Sequence, residues 1–126
     1  MKRATPLKLL IVDDSTSARR LIKTLVTTLV PDIECEVYEC ADGSETMDAY
    51  RLHQPDFVLM DIQMTTMDGI TATAQLKAAD SNARIVMVTN YDQADLREAA
   101  LQAGAYAFLG KDDLLKLVHL LEREHL

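Results

Sequence analysis

Short apolar runs alternate with longer amphipathic stretches five times along this chain. Leu7 to Val12 is almost continuously apolar and ends in Asp13-Asp14, which predicts a strand covered on both faces. Ser15 to Val30 follows, with Ala18, Leu21, Ile22, Leu25, Val26 and Leu29 at helical spacing. Arg19, Arg20, Lys23, Thr24 and Thr27 take the other side. Asp14, Ser15 or Thr16 is placed to cap this helix, and Pro31 stands just past its end. Glu34 to Cys40 mixes Val, Tyr and Cys with glutamates, which suits an edge strand. Asp42-Gly43-Ser44 reads as a turn and helix cap, Glu45 to His53 as a weakly patterned helix, and Pro55-Asp56 as the end of the loop after it.

The second half repeats the alternation. Phe57 to Met60 is fully apolar and ends in Asp61, and a loop bearing Met and Thr then runs to Asp68-Gly69. Ile70 to Ala79 reads as a helix, Arg84 to Val88 as a strand ending at Thr89, and Asp92 or Gln93 to Ala103 as an Ala-rich helix stopped by Gly104. Ala105 to Leu109 is a short fifth strand leading into Gly110-Lys111. Asp112 or Asp113 caps a last helix, with Leu114, Leu117, Val118 and Leu121 on its inner face. Five βα units predict an α/β fold with a parallel sheet and helices on both faces. Right-handed crossovers leave few topologies, and the expected one is the flavodoxin-like, doubly wound order 2-1-3-4-5. Periodicity by itself yields the alternation and not that order.

Composition narrows the classes. The length of 126 residues suits a single domain over 1–126, with its core at about 8–124. No apolar run approaches the ~18–20 residues of a membrane span, and the basic start has no apolar stretch of signal-peptide length. The net charge of −7 argues against direct nucleic-acid binding by this domain, which would need a basic face. Cys35 and Cys40 do not form a C-x-x-C pair. On one strand their odd separation points them to opposite faces, so no internal disulfide is expected and a reduced, cytoplasmic setting fits.

The chemistry gathers at the strand ends. In open α/β sheets function collects outside the carboxyl ends of the strands. Those ends carry Asp13-Asp14, Asp61, Thr89 and Lys111, and strand 2, running out into Cys40-Ala41, is the exception. Singly, each has an ordinary reading: a turn and cap for the acidic pair, a strand-end turn for Asp61, a β-branched strand residue for Thr89, a solvated charge for Lys111. Jointly they bring three carboxylates, a hydroxyl and an ammonium to strands that should be neighbours. Clustered carboxylates repel, and a hard divalent cation such as Mg²⁺ resolves this while using only one or two of them. Three aspartates, Mg²⁺ and one lysine are then in charge balance. Phosphoryl transfer onto a carboxylate fits such a site and needs little acid–base chemistry. His53, His119 and His125 all fall on helices or at the terminus.

Leu9-Leu10-Ile11-Val12-Asp13-Asp14-Ser15, Phe57 to Gly69 around Asp61, Ile85-Val86-Met87-Val88-Thr89, and Gly104 to Lys111 together resemble the receiver domain of two-component response regulators, from about Lys8 to the end. The resemblance implies that Asp61 is the phosphoacceptor and that Asp13 and Asp14 bind Mg²⁺, directly or through water. It makes the backbone carbonyl of Gln63 a further metal ligand. Thr89 would bond a phosphoryl oxygen and Lys111 would pair with the phosphorylated carboxylate. Phe108, three residues before the lysine, matches the aromatic switch position, and Tyr106 does not. Two positions depart from the family's usual pattern. Thr65 stands where the post-acceptor loop often has Pro, which loosens that loop. Asp112 stands where a cis Pro often follows the lysine; a non-proline cis bond costs ~2.5–4 kcal/mol, so a trans or strained bond is expected.

The implied function is a phosphorylation switch rather than an enzyme. A sensor histidine kinase or phosphotransfer protein donates the phosphoryl group, with helix 1 as a docking surface for the donor. Thr89 moves toward the phosphate, Phe108 rotates inward, and the face of helix 4, strand 5 and helix 5 changes its binding to a downstream protein, a fused output domain or a second copy in a phosphorylation-dependent dimer. The domain is expected either alone or within a longer regulator. Three rival readings fit less well. A phosphatase of the haloacid dehalogenase kind would place an Asp where Gln63 stands. A flavin carrier would not open its phosphate loop with two aspartates. A degenerate receiver would lack some of the five site residues.

Overall fold

Buried apolar side chains of both parities along each inner strand force those strands to be covered twice. In the computed structural model, which describes residues 6–30, 34–90 and 93–124, five parallel strands carry this pattern. β1 (Leu7–Val12) pairs with β2 (Cys35–Cys40) on one side and with β3 (Phe57–Met60) on the other; β4 (Ile85–Thr89) and β5 (Ala107–Gly110) complete the order β2-β1-β3-β4-β5. This is the expected doubly wound topology. The helices are α1 (Thr16–Leu29), α2 (Thr46–His53), α3 (Gly69–Ala79), α4 (Ala94–Gln102) and α5 (Leu114–Glu124), with one 3₁₀ turn (Gly43–Glu45) before α2.

The two core layers follow from strand parity. Leu7, Leu9, Ile11, Phe57, Leu59, Val86 and Val88 face α1 and α5, packing on Ile22, Val26, Leu117 and Leu121. Leu10, Val12, Val58, Met60, Ile85 and Met87 face the other way, onto Tyr50, Ala72, Leu76, Ala100 and Phe108. Each fully buried side chain of this size contributes roughly 1.5–3 kcal/mol. Cys35 packs against the first layer and Cys40 belongs to the second, so the opposite-face expectation holds.

Local signals act where they were read. The Ser15 hydroxyl caps α1 by accepting from the Ala18 N–H at 3.1 Å, one of the three capping residues expected there; Asp68, read only as the end of a loop, also caps α3 by accepting from the Thr71 N–H at 2.8 Å. Gly104, at φ +108°, ends α4. Some readings shift. Leu21 and Leu29 are exposed. Leu21 lies about 100° around α1 from Ile22, and Leu29 is its last residue. Leu120 joins the inner face of α5, and β5 starts two residues later than its apolar run. Pro31, Tyr91, Asp92, His125 and the basic N-terminal residues 1–5 lie outside the described residues. No described helix is long and apolar enough to cross a membrane.

Candidate functional site

Backbone bonds continue the parallel ladder past the strand ends and fix the residues there. The Asp13 N–H donates to the Cys40 carbonyl at 3.1 Å, the Asp61 N–H to Val12 at 2.9 Å, and the Lys111 N–H to Thr89 at 2.8 Å. The register sets Val12 beside Met60 and Met60 beside Met87, so the residues that follow converge. Carboxylate oxygens of Asp13, Asp14 and Asp61 come within 4.8 Å of one another. Asp13 and Asp61 are buried, and Asp14 is exposed.

Lys111 closes the group from β5. Its ammonium lies 2.7 Å from Asp13 Oδ2 and 3.3 Å from Asp61 Oδ2. Burial presses its pKa down, but the contact with Asp13 and the charges of Asp61 and Asp13 outweigh this and hold it above the usual value. Asp61 moves the same way for a different reason. Burial raises its carboxyl, and the neighbouring Asp13 adds to that, against the Thr89 hydroxyl, Lys111 and the Ile62 N–H. The Ile62 N–H donates to Asp61 Oδ1 at 2.8 Å, and the Thr89 hydroxyl donates to the same carboxylate.

One buried carboxylate oxygen is held by charge rather than by an aligned hydrogen bond. Asp13 Oδ1 takes the Ser15 N–H at 2.8 Å. Asp13 Oδ2 meets the Lys111 ammonium without hydrogen-bond alignment and is, among the described residues, a buried oxygen lacking an aligned donor. Three carboxylates whose hard oxygen donors lie this close together fit a small divalent cation. The loop after Asp61 runs beside them, with Gln63 exposed on it. Its base is closed by the Gly69 N–H donating to Ile62 at 2.7 Å, and a Cβ at Gly69 would overlap the Asp61 carbonyl oxygen.

Thr89 is fully buried with its hydroxyl on Asp61, and Phe108 is buried with its ring facing α4. The Arg97 guanidinium from α4 covers the Phe108 ring at 4.7 Å from its centroid. The Lys111–Asp112 peptide is trans, as are all described peptide bonds.

Sequence reasoning missed two supports. Arg19, read as part of a solvated helix face, instead turns back: its Nη1 donates to the Asp13 carbonyl at 2.6 Å and its Nε pairs with Glu39 at 3.1 Å. Asp42, read as a turn residue and cap, is buried and also reaches the loop after β3, accepting from the N–H groups of Thr66 and Met67 at 2.8 and 3.1 Å. An Asp-Gly pair signals a turn, and nothing in the local sequence signals a partner more than twenty residues away.

Comparison with known proteins agrees with this geometry. A family model described as the response regulator receiver domain matches residues 9–122. The chain is 38% identical over 104 residues to the chemotaxis protein CheY of Bacillus subtilis, covering 82% of this chain and 84% of that one. It is 36% identical over 121 residues to the transcriptional regulatory protein PdtaR of Mycobacterium tuberculosis, covering 93% of this chain and 57% of PdtaR. A solved structure described as the CheX-CheY-BeF3-Mg+2 complex from Borrelia burgdorferi contains a chain that superposes with a TM-score of 0.84 at 30% identity, covering 96% of this chain and 90% of that one. The acidic pocket of Asp13, Asp14 and Asp61 fits the phosphoacceptor site of such domains. With family match, topology and pocket in agreement, the chain belongs to the response regulator receiver domain family.

Proposed function

We propose that Asp61 accepts a phosphoryl group from a phosphohistidine of a sensor kinase or phosphotransfer protein, and that the acyl phosphate so formed changes which partner this domain binds. The observation that carries the reading is the convergence of three carboxylates and one ammonium at the strand ends. Asp13, Asp14 and Asp61, with the backbone carbonyl of Gln63, would hold Mg²⁺. Bound there, Mg²⁺ supplies charge neutralisation for the carboxylates and for the phosphoryl oxygens brought among them. The CheY relative from Borrelia burgdorferi, whose structure is described with BeF3 and Mg+2, supports the same choice of metal.

The chain's own residues then have defined tasks. An Asp61 carboxylate oxygen attacks phosphorus in line. The bond from phosphorus to the donor imidazole nitrogen breaks, and the nitrogen keeps the electron pair. Lys111, which bridges Asp13 and Asp61 at rest, stays with the phosphorylated carboxyl group and with phosphoryl charge. The Thr89 hydroxyl turns from the carboxylate to a phosphoryl oxygen, and Phe108 stays packed inward behind it. The domain assists both its phosphorylation and the later attack of water that restores Asp61 and releases phosphate. The readout surface is α4, β5 and α5, offered to a downstream protein, a fused output domain or a second copy of the phosphorylated domain.

Intact-protein mass after incubation with Mg²⁺ and a small-molecule phosphodonor tests this. The wild type should gain one phosphoryl group, lose the gain when EDTA is present, and show none as Asp61→Asn. Equal gain in both proteins would refute the assignment of Asp61.

A further inference from the structure

β2 lends no side chain to the acidic pocket, yet its carboxyl end touches both backbone segments that frame it. The Cys40 carbonyl accepts the Asp13 N–H at 3.1 Å, and Glu39 holds Arg19, which binds the Asp13 carbonyl. Two residues on, the Asp42 carboxylate crosses to the loop after β3. Its Oδ1 accepts from the Thr66 N–H at 2.8 Å, and its Oδ2 accepts from the N–H groups of Met67 at 3.1 Å and Ser44 at 2.9 Å. Gly43 presses on the same loop so closely that a Cβ there would overlap the Met67 carbonyl oxygen. The loop is therefore tied at its base by Gly69 to Ile62 and along its far arm by Asp42, with Gln63 to Thr65 between the ties.

From this bracket we infer that Asp42 is a positioning residue of the cation site, fixing the Gln63 backbone carbonyl relative to Asp13 although it touches neither. The inference rests on the reading of Asp13, Asp14, Asp61 and Gln63 as the Mg²⁺ site. Asp42 is suited to the task because it stays ionised. Burial alone would raise its carboxyl, but the N–H groups of Ser44, Thr66 and Met67 and the Ser44 hydroxyl bring it down to about 2. A carboxylate can accept from all three N–H groups. An asparagine has one carbonyl oxygen and an amino group, so at least one N–H would face a second donor. Thr65 stands in this loop, and the Asp42 bonds give it a tether that does not depend on a proline ring.

The test compares wild type, Asp42→Asn, Gly43→Ala and Asp80→Asn by Mg²⁺ titration calorimetry and by amide hydrogen exchange without metal. Asp80, at the other end of α3, accepts the Tyr50 hydroxyl at 2.8 Å and serves as the control for a structural loss alone. In Asp42→Asn the Thr66 and Met67 amides should exchange at least about tenfold faster, and the Mg²⁺ dissociation constant should rise about tenfold, as when groups supporting metal ligands are removed. Gly43→Ala, which keeps the carboxylate and displaces the loop, should weaken Mg²⁺ in the same direction. Asp80→Asn should lose stability and keep the wild-type dissociation constant. Wild-type Mg²⁺ affinity in a folded Asp42→Asn, with tight binding by the wild type, would overturn the role of Asp42 and leave the site standing. A wild type that binds no Mg²⁺ would overturn the site and this inference together.

Discussion

Asp61 pairs a buried carboxylate with a neighbouring carboxylate, and that is a cost to the fold when no cation is bound. Burial and Asp13 both raise its pKa. Replacing it with the isosteric, neutral Asn removes the repulsion, while Lys111 keeps its 2.7 Å partner in Asp13. Asp61→Asn should therefore stabilise the metal-free protein by about 1 kcal/mol, a rise of roughly 4 °C in Tm by calorimetry without divalent ions. A fall in Tm would mean that Asp61 serves the resting fold. At this scale the strand-end chemistry was legible, because Asp13, Asp14, Asp61, Thr89 and Lys111 each follow an apolar run that announces where a strand stops. Asp42 and Arg19 were not. Their partners, Thr66 and the Asp13 carbonyl, are chosen by tertiary packing that no local spacing encodes.

The inner strands were the most legible elements because burial on both faces leaves an unbroken apolar run. Phe57–Met60 and Leu7–Val12 fall where the pattern puts them. Edges and ends were less so. β5 begins two residues late, since Ala105 and Tyr106 are apolar in type but form the approach to the strand, with the Tyr106 N–H already on the Ile85 carbonyl. The outer helix positions misled for a similar reason: Leu21 has the right residue type and lies too far round α1 to be covered. The packing makes a direct prediction for β3. Leu59 sits in the layer between β1 and β4, opposite Ile11 and Val86. Leu59→Ala should cost about 3 kcal/mol in urea denaturation, from lost transfer energy plus the cavity. A cost under 1 kcal/mol would mean that the layer collapses around the gap.

For the whole molecule, Asp42 and Asp61 act on acid stability with opposite signs. Asp42 titrates at about 2 in the fold, below its ordinary 3.8. Its contribution is therefore present above about pH 4 and is lost as pH falls through about 2. Asp61 is raised, so its contribution is present at low pH and is lost as pH rises through its folded value. Asp42→Asn should flatten the loss of stability between about pH 4 and 2, and Asp61→Asn should act above about pH 4, where it removes a term that grows as pH falls toward the ordinary 3.8. Denaturation midpoints measured on both sides of about pH 4 check both; identical slopes below it in wild type and Asp42→Asn would contradict the bonding described for Asp42. The sheet order followed from chain topology and the register from packing, and together they set Asp13 beside Asp61. The chemistry proposed for the molecule depends on that adjacency. The most direct measurement is to load the protein with a small-molecule phosphodonor and Mg²⁺, reduce it with borohydride, and map the peptides. Reduction of an acyl phosphate at Asp61 leaves homoserine at position 61 and unmodified aspartate at 13, 14 and 42. Homoserine at Asp13 or Asp14 in place of 61, or at no aspartate after a confirmed gain of phosphate, would contradict it.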